Sequence, residues 1–346
     1  MKTKRTLHSE ADVERLKSHV DQYPKAKEIT EDVVRRAEEW AALDDRFVQE
    51  LPPPASICRG FLPSFDGCPV HGEEVFSVPG GPWSVDIFED PWKIKCAVGG
   101  ETYPSNDFSE FFHSGDRSLL TGAYADDGRG WDPGDGRPKF WFVANYCFHL
   151  WHRIIPALRD LGRAYLITGD KRFGRKGAIL LDKLATLFPT MDHSSQSWYG
   201  INYQKGYTGR FVYAVQESVN IGLYAEAYDD LFPILQEDSE LHEFLGKSPK
   251  ELIHHVEENL VRQSVRDIWE GMIRGNYGLH QAATMIALTV IDDDAFTDWT
   301  VEQLAGFTGA GPTTAVWAYG VEGWDHALDN FLFRDGVSFE VAIGYS

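Results

Sequence analysis

The chain has 346 residues, 43% of them hydrophobic, and 53 acidic against 33 basic side chains give it a formal charge of −20. That is enough apolar material for one large domain or two modest ones, and the acidity argues against nucleic acid or an anionic membrane as the main partner, since both attract basic surfaces. Met1 to Val20 is charged throughout, with no signal-peptide or anchor pattern, and four scattered cysteines make no disulfide scaffold, so a cytoplasmic protein with reduced thiols is expected.

In chain order, residues 1–51 read as N-terminal amphipathic helices, with Val13, Leu16 and Val20 and then Val33, Val34, Ala37 and Trp40 near helical spacing. Pro52, Pro53 and Pro54 end them, because consecutive prolines remove backbone donors and fix φ. Residues 52–137 form an irregular segment rich in Gly, Pro and aromatics, with candidate strands at Glu74–Val78 and Trp92–Ala97. From Pro138 the period becomes helical. Phe140, Val143, Cys147, Trp151, Ile154, Leu158, Leu161 and Tyr165 share one face, with a kink expected at Pro156. Thr168-Gly169-Asp170 turns the chain into a second helix carrying Phe173, Gly177, Leu180, Leu181, Leu184 and Leu187, which Pro189 stops.

Further helices are expected at Phe211–Leu235, Pro249–Ile268, Tyr277–Ile291 and Trp317–Phe333. Each is too apolar on one side to stand alone. The expected fold class is therefore mainly α, with residues 138–346 an incomplete α/α toroid of stacked helical hairpins. The aromatic loop His193–Gly209, with Trp198, Tyr199, Tyr203 and Tyr207, suits the apolar C–H faces of sugar rings.

The closing run Asp335-Gly336-Val337-Ser338-Phe339-Glu340-Val341-Ala342-Ile343-Gly344-Tyr345 resembles a segment of heparinase II/III-type polysaccharide lyases and related alginate lyases. Gly99-Gly100-Glu101 with Tyr103-Pro104-Ser105-Asn106-Asp107-Phe108, and Leu161-Gly162-Arg163-Ala164-Tyr165 with Thr168-Gly169-Asp170, are similar to the same family, so the resemblance spans most of the chain. It implies an N-terminal toroid followed by a C-terminal β-sandwich, and β-elimination of a uronic-acid polysaccharide. On this reading the chain stops before the sandwich, and is expected to be weakly active or inactive alone.

Elimination across C4–C5 of a uronate requires neutralising the carboxylate, removing the α proton and protonating the leaving oxygen. The resemblance assigns proton transfer to Tyr345, with Glu340 in support, and carboxylate contact to Asn276 in Arg274-Gly275-Asn276-Tyr277. Asn276 is equally placed to cap the following helix. Tyr277 stands where related alginate lyases carry histidine, and His280, one turn beyond Asn276, is the candidate substitute. Arg210, Arg274, Tyr277, Trp198 and Tyr203 are the candidate substrate-binding residues, with a surface ion pair to one of the chain's many acids the alternative for Arg210, and the expected partner is an acidic polysaccharide or oligosaccharide.

Cys68-Pro-Val-His71 with Cys96 and Cys58 has the ligand types of a structural zinc site, without a second complete Cys-x-x-Cys or Cys-x-x-His pair. Buried thiols are the alternative, and no other cofactor is expected. Asp126, Asp127, Asp132 and Asp135 read either as calcium ligands or as a solvated turn, Asn145 and His149 as a polar stripe between helices. The competing functions are a glycoside hydrolase on a similar toroid, using acids such as Asp192, Glu217 and Glu226, and a non-catalytic glycan-binding fragment.

Overall fold

The computed structural model describes residues 2–59, 67–193, 209–212, 214–273 and 279–305, and these are mainly helical. They divide into two compact units, one comprising Met1–Pro52, Ile154–Met191 and Tyr203–Ser346, the other Pro53–Arg153 and Asp192–Asn202.

In the first unit, α1 (Glu10–Gln22) opens on a capping box between Ser9 and Asp12, α2 (Pro24–Ala41) starts with proline at its first position, and α3 (Asp45–Glu50) is capped by Asp44. The N-terminal region thus holds three helices, broken where Pro24 and Asp44 favour helix starts. α5 (Phe142–Thr168), whose residues from Ile154 belong to this unit, and α6 (Lys171–Leu187) form the expected hairpin. At the turn Gly169 adopts φ 72°, its N–H donates to Tyr165 O at 2.8 Å, and Asp170 caps α6 by accepting from Arg172 N. Gly174 lies against Tyr165 and Gly177 against Leu161, so the two helices run antiparallel at close range.

α7 (Ala214–Glu237) packs against α6, against α9 (Pro249–Val256) and against α11 (Leu279–Ile291). Helices on several sides explain why its apolar residues do not keep to one stripe. Tyr224, Tyr228, Leu231, Phe232 and Leu235 are all buried, as is Leu181 opposite on α6. Truncating such a leucine to alanine costs about 2–5 kcal/mol. α9 continues through a π-helical turn, Glu257–Arg262, into α10 (Gln263–Glu270), so the expected single helix Pro249–Ile268 is interrupted. After the expected hairpin, this unit adds two helices that the sequence pattern did not place, α8 (Ser239–Leu245) and α12 (Asp294–Ala305). The expected helix Trp317–Phe333 lies outside the described residues.

The second unit is built around a small antiparallel sheet, β1 (Trp83–Ser84), β2 (Ile94–Cys96) and β3 (Thr102–Tyr103), in the order β1-β2-β3. Strand β2 falls inside the expected Trp92–Ala97 and alternates buried Ile94, exposed Lys95 and buried Cys96. The other expected strand, Glu74–Val78, is instead a 3-10 turn over Glu73–Ser77 with only Val75 buried. Its polar, one-anchor pattern has no strand to pair with among the described residues, and Val78 N–H closes back on Val75 O.

α4 (Phe108–Ser114), capped by Asp107, and the opening of α5 complete this unit. Tyr103, Phe142, Trp83, Tyr124, Trp131 and Phe140 form a continuous aromatic cluster. Asp126 is fully buried and accepts N–H bonds from Gly128, Gly130 and Val143, tying the Gly-rich loop to the first turn of α5. Asp127, Asp132 and Asp135 accept from the backbone N–H two residues on. These are turn-forming contacts, and the four aspartates make no metal cluster among the described residues, which corrects the calcium option.

Candidate metal centre

Four ligand-type side chains of the second unit converge: Cys68, His71, Cys96 and Glu101, whose ligand atoms all lie within 4.8 Å of one another. Two tight backbone loops bring them together. In the first, Cys68 and Gly72 exchange both backbone hydrogen bonds, at 3.0 and 2.8 Å, folding Cys68-Pro69-Val70-His71-Gly72 into a closed turn. The N–H groups of Val70, at 3.4 Å, and of His71 turn inward to the Cys68 sulfur.

The second loop joins β2 to β3. Cys96 N–H donates to Glu101 O at 2.8 Å and Gly100 N–H to Cys96 O at 2.9 Å, while the N–H groups of Val98 and Gly99 point at the Cys96 sulfur. Residue 99 must be small. A Cβ there would lie 2.1 Å from His71 Cε1 and 2.5 Å from each Glu101 carboxylate oxygen.

His71 Nδ1 is 3.8 Å from Cys68 Sγ, 3.5 Å from Cys96 Sγ and 3.3 Å from Glu101 Oε2. A tetrahedral ion with bonds of about 2.3 Å to sulfur and about 2.0–2.1 Å to nitrogen or oxygen puts sulfur and nitrogen roughly 3.6 Å apart, and nitrogen and oxygen roughly 3.4 Å apart. The three edges from His71 Nδ1 match that geometry, and the remaining ones lie within 4.8 Å. Three acceptors also approach a single imidazole nitrogen, whereas in a nucleophile–histidine–carboxylate relay the nucleophile and carboxylate take opposite ring nitrogens. Glu101 Oε2 is buried and accepts no hydrogen bond. Its charged neighbour is the His71 imidazole at 3.3 Å, and a carboxylate oxygen without a hydrogen-bond donor facing a ring of ligands fits a cation between them.

The electrostatics agree. The hydrogen bond that the His71 imidazolium gives to the Cys68 sulfur, and then the nearby Glu101 charge, hold the His71 imidazole above its ordinary pKa. Burial opposes ionisation of Cys68, but the Tyr103 hydroxyl and the His71 and Val70 N–H groups outweigh it and lower the thiol. Burial pushes the Cys96 thiol up. A raised His71 imidazole beside a lowered Cys68 thiol puts a proton among the ligand groups, and a divalent cation would take that proton's place.

Three of the four residues expected from sequence, Cys68, His71 and Cys96, belong to this cluster. Cys58 does not. It lies near Cys147, whose thiol is raised first by burial and then by the Cys58 charge. Glu101 takes the fourth corner. Its signal was present as Cys96-x4-Glu101 across a Gly-Gly turn, but a search for cysteine and histidine pairs passes over a carboxylate.

None of the other predicted residues that are described belongs to this ligand cluster. Arg210 is buried, and its guanidinium forks onto Asp267 at 2.6 and 2.7 Å and donates to Met191 O at 2.8 Å. The fork expected for a substrate carboxylate is thus held by a carboxylate of the chain itself. His280 is buried in the first turn of α11. Glu217 is fully buried and pushed up to about 7 by burial, and it accepts from the N–H groups of Arg210 and Val212 and from the Tyr224 hydroxyl. Glu226 is paired with Arg163 at 2.8 Å. Both acids thus serve internal contacts. Asn145 is buried and donates to Trp141 O at 2.7 Å, and burial lowers the His149 imidazole, as suits a packed polar stripe. Tyr345, Glu340, Asn276, Arg274, Tyr277, Trp198 and Tyr203 lie outside the described residues. No protein-family model, curated protein or solved structure matches the chain.

Proposed function

We propose that Cys68, His71, Cys96 and Glu101 hold a structural zinc ion, and that the chain it staples is part of a polysaccharide lyase acting on uronic-acid glycans. The observation that carries the metal reading is the convergence of four ligand atoms within 4.8 Å of one another, three of them spaced from His71 Nδ1 as in a tetrahedral zinc shell. Two cysteine sulfurs favour zinc over the hard oxygen-seeking cations, and four protein ligands leave no open position, as structural sites do. The sheet around the ion has three strands of two or three residues, too little on its own to fix these loops. Zinc should slow alkylation of Cys68 and Cys96 and leave the reactivity of Cys58 unchanged. Equal alkylation with and without zinc would sink this reading.

The lyase reading rests on the ordered resemblance of the segments around Glu101–Phe108, Leu161–Asp170 and Asp335–Tyr345. The antiparallel pair α5/α6, followed by helices packed around α7, is compatible with part of an α/α toroid. In this scheme Asn276 and His280 meet the substrate carboxylate. Tyr345 moves the proton as the C4–O bond breaks and the C4=C5 double bond forms. Arg210 has no place in it, being held by Asp267. Incubation with uronate polysaccharides should give a slow rise in ultraviolet absorbance, at the weak activity expected of this chain, through the new conjugated double bond, and Tyr345→Phe should abolish the rise. Reducing ends released without that absorbance would mean hydrolysis and reject the lyase.

A further inference from the structure

We infer that Tyr103 is a positioning residue of the zinc centre, its hydroxyl donating to the Cys68 thiolate and its ring fixing that donor in the aromatic core. The inference rests on the metal reading above. Tyr103 is 0% exposed, and its hydroxyl lies 3.3 Å from Cys68 Sγ. A buried phenol O–H needs an acceptor, and a metal-bound thiolate has no proton to give, so the direction of this bond is set by chemistry.

The ring holding the hydroxyl has little freedom. It stacks on Phe142 at 4.6 Å with 10° between the planes, and takes Trp83 and Tyr124 edge-on at 6.0 and 5.1 Å. Its backbone is in β3, paired with Ile94 of β2, two residues before Cys96. One rigid side chain thus links the hairpin that carries Cys96 and Glu101 to the sulfur of the other loop.

The two sulfurs consequently differ. Cys68 receives the N–H groups of Val70 and His71 together with the Tyr103 hydroxyl, while Cys96 receives the N–H groups of Val98 and Gly99. Donors on a metal-bound thiolate draw charge from it and fix its lone pairs, and removing such a partner typically weakens metal binding by about 10–100-fold.

The test uses cobalt(II) as a spectroscopic probe and zinc by chelator competition, on the full chain and on Tyr103→Phe, which removes one oxygen and keeps the ring. We expect roughly tenfold weaker binding of both metals. The sulfur-to-cobalt charge-transfer band should move to longer wavelength, because the thiolate regains electron density. Tyr124→Phe alters the same aromatic cluster without touching a sulfur, and should move neither quantity. Equal affinity and an unmoved band in Tyr103→Phe would overturn the inference, as would equal changes in both variants. Failure of the unaltered chain to bind either metal would instead overturn the metal reading, and the inference with it.

Discussion

Substituting Gly99 by alanine adds one carbon to the chain, and that carbon falls inside the ligand shell. Gly99 does not have the positive φ of Gly100, so alanine is tolerated by the backbone and the effect is purely steric. The new Cβ would meet His71 Cε1 at 2.1 Å and both Glu101 oxygens at 2.5 Å, so at least one of these two ligands must leave its corner. Structural zinc sites bind with roughly 12 kcal/mol, so one corner of four is worth about 3 kcal/mol, or on the order of 100-fold in affinity. At zinc a hundredfold above the native dissociation constant, the bound ion stabilises the fold by about 2.7 kcal/mol, most of which the variant forfeits. Chelator competition gives the affinity, and thermal unfolding with and without zinc gives the linkage. Cys58→Ser, remote from the cluster, should match the unaltered chain in both. Zinc bound by Gly99→Ala as tightly as by the native chain would refute the placement of His71 and Glu101 around one ion.

Other consequences concern the helical unit. Burial raises Glu217 from 4.5 to about 7, so the folded state holds its proton more tightly than the unfolded state. Its contribution is most favourable below pH 4.5 and is lost as pH rises toward 7, so Glu217→Gln should flatten that part of the urea-stability profile. An unchanged slope would show that the carboxylate is not buried. Asp267→Ala strands the buried Arg210 guanidinium and should cost roughly 3–5 kcal/mol by urea unfolding, whereas a surface ion pair would cost less than about 1. Lys2 is buried against Asp229, which also accepts from the N–H groups of Thr6 and Leu7 at 2.8 and 3.0 Å. Lys2→Ala should therefore destabilise the unit by a similar roughly 3–5 kcal/mol, and a loss under about 1 kcal/mol would show an exposed N-terminal segment.

Much of the helical unit was legible because its signals are local. Ser9 with Asp12, Pro24, Asp170 and Ser248 with Glu251 mark helix starts by capping chemistry, and Thr168-Gly169-Asp170 marks the turn. α12 was missed because its apolar period is weak, and the π-helical turn Glu257–Arg262 because it leaves the apolar period of that run unbroken. Strand pairing is non-local, so the run Glu74–Val78 reads as a strand until it is seen to lack a neighbour. The metal cluster was three-quarters legible, since ligand type shows in the sequence while proximity does not. Cys58 and Glu101 lie on either side of Cys68 and Cys96, and only the β2–β3 hairpin decides between them. An ion pair of Arg210 with an acid of the chain was the expected alternative, but its partner Asp267 was not legible because it is 57 residues away.

The central claim is the identity of the ligand shell, and X-ray absorption at the zinc edge on the purified chain tests it most directly. The account predicts one zinc per chain with two sulfur neighbours at about 2.3 Å and two nitrogen or oxygen neighbours at about 2.0–2.1 Å. Cys68→Ser or Cys96→Ser should remove one sulfur each, and Cys58→Ser none. A chain without zinc, or a shell that loses sulfur with Cys58→Ser, would contradict it.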